Sequence, residues 1–448
     1  MISRRSLLGI GAIGAAGAAV HPRAEQAAQL LGRIGADESA PAGWNAVRDA
    51  FDFAHAAAPR IPMNAANLTP ESAPVSEAIT RAARHLNLDA SFHHRLLFLK
   101  AQRQRLATLL RVHLGIEHPS SVAVVRNTTE ANAIVINGLA LSAGDEIVLW
   151  AQNHDTNYLS WHYRNSDRGC RCVTVETPGQ PRDDQQIVDA FLAKLTPATR
   201  VVSFSHISNV TGLRLPAAAL CAAIRSYNPR IFIHIDGAQS WGAVRLDLQA
   251  LDCDSYSASA HKWLAGPREL GLLYVRPEWI ERLQPSTVGY DYAIEYPEHG
   301  LPSDAERFAL LGQRNDAQLA GLNTALELQM NWNPDRIEAR IAELGLQLRQ
   351  RLAGAGFRLV TPEDRRYALG VTVVDLGVAA GEVVSVFRRL YEVHRIYGAY
   401  IHGRKVYCDD RPPDTPVEHL YLRLCPHIYN TPDDIERVAS ILHTELHR

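Results

Sequence analysis

Residues 231–275 constrain the fold of this chain more than any other stretch, because two apolar segments enclose a polar cluster there. The first segment, Ile231–Ile235, is apolar and β-branched, which predicts a strand buried on both faces. Asp236 follows at the carboxyl end of this strand, where open α/β sheets place their ligands. A second strand is predicted at Gly271–Val275. The stretch therefore favours an open sheet with a ligand site at one edge.

The polar cluster between the two strands contains Ser259, His261 and Lys262, followed by Trp263. A lysine in apolar surroundings has a lowered pKa, and its neutral amine can form a Schiff base with an aldehyde. Pyridoxal phosphate is the common aldehyde cofactor, and an acid such as Asp236 would keep its pyridine nitrogen protonated. The alternative is that Asp236 caps a turn and Lys262 is a surface lysine. These two residues alone leave both interpretations open.

The composition is that of an ordinary globular protein with ample apolar residues for a core. The chain has 448 residues, of which 46% are hydrophobic and 21% charged, and this length suits two or three domains. A net charge of -2 gives no electrostatic reason to expect a nucleic acid or an anionic membrane as partner. No internal apolar run of about 18 residues occurs, so we expect no transmembrane helix in the mature protein.

The first residues carry the pattern of an export signal. Arg4 and Arg5 precede an apolar run rich in Gly and Ala, which resembles a twin-arginine signal peptide. We therefore expect residues 1–24 to be a signal peptide, cleaved after Ala18 or Ala24, and the mature protein to be periplasmic. The twin-arginine export machinery carries folded proteins, which suits an enzyme that loads a cytosolic cofactor before export. The alternative is a poorly ordered N-terminal helix of a cytosolic protein.

The six cysteines show neither a disulfide framework nor a metal site. Their number is even, which permits disulfides in an exported protein, but their spacing has no pattern typical of one. No pair of Cys or His clusters has the spacing of a zinc site. We expect mostly buried thiols and no bound metal. The cysteines are Cys170, Cys172, Cys221, Cys253, Cys408 and Cys425.

A second polar cluster follows the predicted strand Val122–Val125. Thr128 and Thr129 lie in a polar turn between this strand and the apolar periodic run Ala133–Leu141, which predicts a helix. The free N–H groups and partial positive charge of a helix N-terminus bind phosphate, and threonine hydroxyls add donors. The alternative is a capping box that only starts the helix.

Two further strand ends carry polar side chains. His154 follows the predicted strand Glu146–Trp150, where an imidazole can lie flat on an aromatic cofactor ring. Asn209 follows the predicted strand Arg200–Phe204 and is placed to donate to an anionic ring oxygen. The alternatives are an ordinary loop histidine and an Asn-containing turn. All the polar clusters fall at strand ends. This coincidence is stronger evidence for a ligand site than any one cluster.

Strands alternate with helices along residues 120–280, which predicts a mostly parallel sheet with helices on both faces. We expect a large domain at 76–325, preceded by an N-terminal segment at 25–75, and a smaller α+β domain at 326–448. Helical periodicity covers 71–115 and a run from Gly312 to about Trp332. The elements predicted in the smaller domain are helices at 336–354 and 380–392 and strands at 369–375 and Leu420–Leu424.

In their order and spacing, these motifs resemble those of one enzyme family. Over residues 60–445 the chain resembles the fold-type-I pyridoxal-phosphate enzymes of the class V aminotransferase and cysteine desulfurase group. Within this group it is most similar to isopenicillin N epimerase and to exported enzymes that tailor pyoverdine-type siderophores. The resemblance implies an α/β fold, with a mostly parallel seven-stranded sheet in the large domain. The motifs that carry it are RNTTEAN (126–132), NHDTN (153–157), SHISNVTG (205–212), HIDGAQSWG (234–242), SASAHKW (257–263) and LRLCPHIYNT (422–431).

The resemblance implies a role for each matched residue around pyridoxal 5′-phosphate. Lys262 would form the Schiff base with the cofactor and move the α-proton. Asp236 would pair with the pyridine nitrogen, and His154 would stack on the ring. Asn209 and Gln239 would hold the ring oxygen. The residues that would bind the phosphate are Thr128, Thr129, Ser259 and His261.

The same resemblance implies how substrate and partner chain are held. Arg423 would bind the substrate carboxylate, with Asn67 as a second substrate contact. The family is dimeric, so we expect a homodimer in which each site takes a contact from the partner chain. That contact is usually a threonine after a glycine, but Gln313 follows Gly312 here. Gln313 or its neighbour Arg314 would take its place.

A cysteine desulfurase is the main alternative, because the nucleophile of those enzymes is a cysteine on a loop of the small domain. Cys408 lies in the corresponding loop before Arg423. Its neighbours Asp409 and Asp410 would raise its pKa and disfavour the thiolate, which argues against a persulfide carrier. A further alternative is a non-catalytic binding protein that has kept the fold.

The expected activity is chemistry at the α-carbon of an amino acid, or of an amino-acid moiety in a peptide metabolite. Epimerisation, transamination and decarboxylation all begin with the same bound substrate, and the sequence does not choose among them. An exported location favours a secondary metabolite. A glutamyl residue attached to a peptide siderophore is the leading substrate hypothesis.

Overall fold

A seven-stranded sheet forms the centre of the molecule. The computed structural model describes residues 42–166, 169–290, 300–402 and 419–446, so the predicted signal peptide and Cys408 lie outside the described residues. Numbered along the chain, the strands lie across the sheet in the order β2 (Val122–Val125), β8 (Gly271–Val275), β7 (Ser255–Ser259), β6 (Phe232–Asp236), β5 (Thr199–Ser205), β3 (Glu146–Trp150) and β4 (Arg171–Val175).

Strand direction brings the carboxyl ends of six strands to one edge of the sheet. β4, β3, β5, β6 and β7 are parallel neighbours. β8 runs antiparallel to β7 and also to β2, so β2 points the same way as the parallel set. The predicted sheet is therefore confirmed as mostly parallel, with β8 as the exception. Every loop that follows a strand other than β8 emerges at the same edge.

Apart from the edge strand β4, whose residues are mostly half-buried, the strands are buried on both faces. In β3, Val148 and Trp150 pack into one apolar cluster, whereas Ile147 and Leu149 pack into another on the opposite face. Because successive side chains of a strand point to opposite faces, each cluster covers one side of the sheet. The helices between residues 73 and 332 are α2 (Ala73–Leu88), α3 (Phe92–Leu114), α4 (Thr128–Gly138), α5 (Asp155–Ser166), α6 (Asp184–Leu192), α7 (Ala217–Tyr227), α8 (Leu248–Leu251), α9 (Pro277–Ile280) and α10 (Gln318–Trp332).

Two helical predictions need correction at their boundaries. The region 71–115 forms two helices, because the chain turns between α2 and α3. There the Asp89 carboxylate accepts from the N–H of Ser91, and the Ser91 hydroxyl accepts from the N–H of His94. A side chain that caps a helix in this way starts a new one. The run from Gly312 becomes helical only at α10, since Gly312 itself adopts a left-handed φ of 78°.

β7 was not predicted as a strand, because its sequence SYSAS is polar. All five of its residues are nevertheless buried. Ser255, Ser257 and Ser259 alternate along the strand, so their hydroxyls share one face. Each hydroxyl finds a hydrogen-bond partner on β6 or α4, which explains how a polar strand lies in the middle of a sheet.

A second sheet of four antiparallel strands lies in the C-terminal part of the chain. The predicted strand 369–375 begins only at Thr372, because the carbonyl of Leu369 is used by the Arg349 side chain instead. The predicted helix at 336–354 begins slightly earlier, and the one at 380–392 is found as predicted. The elements are β9 (Arg358–Leu359), β10 (Thr372–Asp375), β12 (Ala399–His402), β13 (Leu420–Leu424), α11 (Pro334–Gly354), α12 (Ala380–Glu392) and α13 (Pro432–Leu446).

The N-terminal segment is built into this C-terminal part. β1 (Ile61–Pro62) pairs in parallel with β11 (Ile396–Tyr397), and Ile61 and Met63 are buried in the apolar cluster of the second sheet. α1 (Ala42–Asp49) precedes it, and its Arg48 forms an ion pair of 2.8 Å with Asp434 of α13. Residues 42–63 therefore pack with elements more than 300 positions away in sequence.

The helices and the possible metal ligands of the described residues bear on membranes and metals. No helix there is both long enough and apolar enough to cross a bilayer. In the same ranges no group of three or more His, Cys, Asp or Glu side chains is arranged to hold a metal ion. Of the cysteines within these ranges, Cys221, Cys253 and Cys425 are buried, whereas Cys170 and Cys172 are partly exposed.

Candidate active site

The loops at the shared edge of the sheet bring together five of the side chains that the sequence singled out. Thr128 follows β2, His154 follows β3 and Asn209 follows β5. Asp236 ends β6, and Lys262 lies in the turn after β7. These residues are spread over 135 positions of the chain, and only the parallel arrangement of their strands makes them neighbours.

The amine of Lys262 lies in the same site as two charged groups. Burial lowers the pKa of Lys262 to about 8, the Arg423 guanidinium adds to the lowering, and the Asp236 carboxylate opposes it. Charges act on an amine in this way only when they are close to it. A lysine with such a pKa is neutral far more often near neutral pH than a lysine in water, which is the form that attacks an aldehyde.

The carboxylate of Asp236 accepts hydrogen bonds from two protein donors and still has lone pairs for a ligand. Its Oδ1 accepts from the backbone N–H of Ala238 at 3.0 Å, and its Oδ2 accepts from Nδ2 of Asn132 at 3.0 Å. The turn after Asp236 is tight, since a Cβ on Gly237 would lie 2.0 Å from the ring of Tyr256. Glycine is therefore required there for steric reasons, and the carboxylate is fixed at the strand end.

A set of hydroxyl donors surrounds the N-terminus of α4. Oγ1 of Thr128 lies 2.6 Å from Oγ of Ser259, which also accepts from the N–H of Thr128 at 2.7 Å. Asn127 caps the helix by accepting from the N–H of Glu130. Thr129 is exposed on the same first turn. The positive end of the helix dipole and the two hydroxyls suit a phosphate group.

His261 follows Ser259 by two positions and has a neutral ring. Burial, together with the positive charges of Lys262 and Arg268, lowers its pKa to about 4. Its backbone carbonyl accepts from the N–H of Thr69 at 2.9 Å, which joins the lysine turn to the loop after β1. Asn67 is exposed in that loop, and its own N–H donates to the carbonyl of Asn64. His261 can therefore bind an anion as a hydrogen-bond donor and not as a cation.

Gln239 is buried and already makes two contacts through its side-chain amide. Its Nε2 donates to the carbonyl of Ala66 at 2.9 Å, and its Oε1 accepts from Nε1 of Trp263 at 2.8 Å. An amide nitrogen has two hydrogens, so one donor remains for a ligand oxygen. Because Trp263 follows Lys262, Gln239 also ties the lysine turn to the loop that carries Asn67.

The ring of His154 is oriented by its own loop. Its Nδ1 accepts from the N–H of Thr156 at 3.2 Å and lies 3.0 Å from the hydroxyl of that residue. A neutral imidazole that accepts at Nδ1 carries its hydrogen on Nε2. His154 lies after the end of β3, directly before α5. Its stacking on a cofactor ring stays a prediction.

Arg423 and Asn209 are joined across the site. Nη1 of Arg423 donates to the backbone carbonyl of Asn209 at 2.9 Å. Nε of the same guanidinium is buried and has no hydrogen-bond partner among the described residues. A buried guanidinium with unused donors is typical of a site that binds a carboxylate. This observation supports the predicted contact with the substrate.

Gln313 and Arg314 lie in a different environment. Oε1 of Gln313 accepts from Nη1 of Arg95 at 2.6 Å, and the Nε of Arg95 donates to Asp316 at 2.5 Å. Gln313 and Arg314 line a cleft of 440 Å³ together with Arg126. In a single chain they are thus not grouped with Lys262, and their predicted contact with the partner's cofactor remains a prediction.

Asn132 and His234 are buried site residues that the sequence did not single out. A signal for Asn132 existed, because it follows Thr128 by four positions and therefore faces the same side of α4. One helical turn separates Thr128, which contacts Ser259, from Asn132, which contacts Asp236. The helix positions of Thr128 and Asn132 thus lie about 6 Å apart along its axis.

The residues of the site fit pyridoxal phosphate. The cofactor offers an aldehyde, a ring nitrogen and a phosphate. The site offers a buried amine of lowered pKa, a carboxylate that receives two hydrogen bonds, and hydroxyl donors at a helix N-terminus. Lys262 would bind the aldehyde, Asp236 the ring nitrogen, and Thr128 and Ser259 the phosphate.

Comparison with known proteins agrees with this assignment. The family model of the class-V aminotransferases matches residues 66–438. The chain belongs to this family. Two isopenicillin N epimerases are among its relatives: that of Streptomyces clavuligerus is 32% identical over 72% of this chain and 80% of its own length, and that of Amycolatopsis lactamdurans is 31% identical over 85% and 94%. A cysteine desulfurase of Synechococcus elongatus is 31% identical over 52% of this chain and 37% of its own length.

Solved structures show the same fold. A mutant of C-DES, with glycine covalently linked to its pyridoxal-phosphate cofactor, superimposes with a TM-score of 0.75 at 23% identity. The match covers 86% of this chain and 96% of that one. The predictions of the family, the fold-type-I architecture and the pyridoxal-phosphate cofactor are thereby confirmed. The chain is a pyridoxal-phosphate enzyme of the class-V aminotransferase family.

Proposed function

We propose that this enzyme moves a proton at the α-carbon of an amino acid, or of an amino-acid moiety in a peptide metabolite. One observation carries the proposal: the amine of Lys262 shares a buried site with the carboxylate of Asp236 and the guanidinium of Arg423. A base, an acidic partner for the cofactor and a carboxylate-binding cation are the groups that this chemistry requires.

Each residue has a part that follows from its position. Bound pyridoxal phosphate supplies a sink for the electrons left on the α-carbon when a bond to it breaks. Arg423 binds the substrate carboxylate through the guanidinium donors that its contact with Asn209 leaves unused. Nζ of Lys262 would accept the α-proton of the bound substrate. Asp236 would hold the ring nitrogen of the cofactor through the carboxylate that Asn132 and the backbone of Ala238 fix in place.

Among the three predicted outcomes we favour epimerisation. Two relatives that are 31–32% identical over most of the chain are isopenicillin N epimerases by name. In epimerisation a proton leaves one face of the α-carbon and another returns to the opposite face, so no second substrate is consumed. Transamination needs a keto-acid partner, and decarboxylation releases carbon dioxide. The three reactions can therefore be told apart by what each one consumes and releases.

The experiment is exchange of the α-hydrogen in heavy water. The purified enzyme is incubated with amino acids and glutamyl peptides, and NMR follows the α-hydrogen signal. We expect exchange with wild type and with Lys194→Ala, which removes an exposed lysine, and none with Lys262→Ala. Exchange without carbon dioxide or keto acid supports epimerisation. Equal exchange by Lys262→Ala would exclude Lys262 as the base.

We extend the proposal to the location and the substrate. Arg4 and Arg5, followed by a short apolar run, support export by the twin-arginine machinery to the periplasm. A periplasmic enzyme of this family meets finished metabolites, and a glutamyl residue of a peptide siderophore offers an amine beside a carboxylate for Lys262 and Arg423. Fractionation of cells with wild type and with Arg4→Lys/Arg5→Lys tests export. Retention of the wild type in the cytoplasm would contradict it.

We also propose a homodimer, in which Gln313 or Arg314 reaches the phosphate of the partner's cofactor. Both side chains line a cleft near the start of α4, beside Arg126. Sedimentation equilibrium tests the dimer, and cofactor titration of Gln313→Ala and Arg314→Ala tests the contact. If one residue makes it, that variant alone binds the cofactor more weakly. A monomeric wild type with full cofactor affinity would overturn this part.

A cysteine desulfurase is the second candidate, since one is 31% identical over 52% of the chain. Its nucleophile would be Cys408, which lies outside the described residues. The acidic neighbours Asp409 and Asp410 oppose a thiolate there. Sulfide release from cysteine that is lost in Cys408→Ala, without loss of bound cofactor, would establish this function in place of the first.

A further inference from the structure

A chain of buried hydrogen bonds connects Asp236 to side chains of α4, β6 and β7. Nδ2 of Asn132 donates to Oδ2 of Asp236 at 3.0 Å. Oδ1 of Asn132 accepts from Oγ of Ser257 at 2.5 Å and lies 3.0 Å from Nε2 of His234. Nδ1 of His234 in turn lies 2.7 Å from Oγ of Ser255. All five side chains are at most 3% exposed.

The direction of the hydrogen bonds in this chain follows from the carboxylate of Asp236, which accepts from Nδ2 of Asn132 and so leaves Oδ1 of Asn132 to face Ser257 and His234. Burial lowers the pKa of His234 to about 4, so the ring is neutral near neutral pH. The serine hydroxyl of Ser257 and the imidazole N–H both need an acceptor, and Oδ1 of Asn132 is the oxygen that lies against them. Nε2 of His234 therefore carries the hydrogen, and Nδ1 accepts from Ser255.

The same logic fixes the amide of Asn132. If the amide were turned over, its oxygen would face Oδ2 of Asp236, and these two acceptors would repel each other. The amide thus presents its NH₂ donor to Asp236, which holds the carboxylate in one orientation.

We propose that Asn132 is a positioning residue, held by His234, Ser255 and Ser257, that fixes the carboxylate of Asp236 in the orientation that meets the ring nitrogen of the cofactor. Asn132 touches neither substrate nor cofactor and acts only through Asp236. The inference concerns cofactor binding and does not depend on the proposed substrate, so its test uses no turnover. The same network explains why the buried strand β7 contains Ser255 and Ser257.

The test replaces the donor of Asn132 and reads the state of the ring nitrogen. Asn132→Leu keeps the volume and removes the donor, and Asn132→Asp turns the donor into a second acceptor. Asn137→Asp is the matched control, because Asn137 is exposed on the same helix. Each protein is reconstituted with cofactor labelled with ¹⁵N in the ring, and its dissociation constant and ¹⁵N chemical shift are measured.

We expect wild type and Asn137→Asp to bind the cofactor equally, with the shift of a protonated ring nitrogen. Asn132→Leu should bind roughly 10- to 100-fold more weakly, the effect of one lost charge-assisted hydrogen bond. Asn132→Asp removes the fixed amide donor to Asp236, so this variant should also bind the cofactor more weakly and its ring-nitrogen shift should depart from that of wild type. Unchanged affinity and an unchanged shift in folded Asn132 variants would overturn the proposal.

A second pair of variants, at His234, tests the proposal if the Asn132 variants fail to fold. His234→Gln retains an N–H that can reach Oδ1 of Asn132, whereas His234→Leu removes it. We expect the glutamine variant to retain the ¹⁵N shift and cofactor affinity of wild type, and the leucine variant to lose part of both. If the two variants behave alike while both unfold cooperatively, His234 only fills space and the proposed chain has no effect on Asp236.

Discussion

Nε2 of His427 lies 2.9 Å from the backbone carbonyl oxygen of Trp263, the residue that follows Lys262, and the two rings are stacked with centroids 5.7 Å apart. His427 lies between β13 and α13, so this contact joins the C-terminal part of the chain to the lysine turn. Burial lowers the pKa of His427 to about 4, and the neutral ring donates its N–H to the carbonyl.

The first prediction concerns this contact. His427→Phe retains a ring for stacking but loses the donor, while Gln329 still donates to the carbonyl of Trp263. We expect the free energy of unfolding to fall by about 1 kcal/mol and cofactor affinity to fall with it. Denaturant unfolding and cofactor titration measure the two effects. His427→Gln, which retains a donor, is the control. A loss in His427→Gln with none in His427→Phe would show that stacking alone matters and would contradict the prediction.

The second prediction concerns Lys262 in the cofactor-free protein. Burial lowers its pKa from 10.5 to about 8, so the unfolded chain binds more protons than the folded one between these values. The free energy of unfolding therefore rises with pH between these two values. Below pH 8 the buried charge lowers this free energy by at most about 3 kcal/mol.

Replacing Lys262 with methionine removes the charge and keeps the length. Cofactor-free Lys262→Met should be more stable than wild type near neutral pH, and the gain should shrink as the pH rises from about 8 to 10.5. Urea unfolding at several pH values measures it. Lys194→Met, at an exposed lysine, serves as the control and should show no such gain. A pH-independent difference for Lys262→Met would contradict the lowered pKa.

The third prediction concerns His113, a buried histidine of α3 that packs edge-on against Trp241. Both of its ring nitrogens lack a hydrogen-bond partner among the described residues, and burial lowers its pKa from 6.5 to about 4. The unfolded chain binds the proton first as the pH falls through this range. Wild type thus loses stability there, by at most about 3 kcal/mol from this residue.

His113→Leu removes both the titration and the unpaired nitrogens. We expect the variant to gain stability relative to wild type as the pH falls from 6.5 to 4, in addition to any constant difference from packing. Thermal unfolding across this range provides the comparison. A stability difference that is the same at both ends of the range would show that His113 titrates normally in the folded protein.

The fourth prediction concerns Arg423. Arg423→Lys keeps the charge but loses the planar fork that binds a carboxylate at two points. We expect KM for α-carboxylate substrates to rise roughly 10- to 100-fold with a smaller change in cofactor affinity. Replacing the substrate carboxylate with an amide separates the effects, because the amide should be a poor substrate for wild type and no worse for the variant. A variant that still prefers the acid as strongly as wild type would remove Arg423 from the site.

Strand ends were the part of the site that the sequence could reveal. Asp236, His154 and Thr128 follow apolar runs whose length and β-branched content predict strands, and parallel strands must end at one edge. Asn132, His234, Ser255 and Ser257 could not be found in this way. Their contacts join residues more than 100 positions apart in several cases, and a polar strand gives no apolar pattern to detect.

The N-terminal segment shows the same limit. Ile61 and Met63 form part of the core around the second sheet because β1 pairs with β11, which lies 335 positions later for Ile61 and its partner Ile396. A two-residue strand has too few residues for periodicity to predict its partner. By contrast, the motifs from 126–132 to 422–431 sufficed for the family, because their order and spacing are specific.

The central claim is a covalent bond between Lys262 and the aldehyde of pyridoxal phosphate, in a site completed by Asp236. The most direct measurement is reduction of the loaded enzyme with borohydride, followed by digestion and mass spectrometry of the peptides. We predict that the phosphopyridoxyl group is found on the peptide that contains Lys262 and on no peptide of the Lys262→Ala variant. A label on Lys100, Lys194 or Lys405, or an unlabelled Lys262 in enzyme that contains the cofactor, would contradict the account.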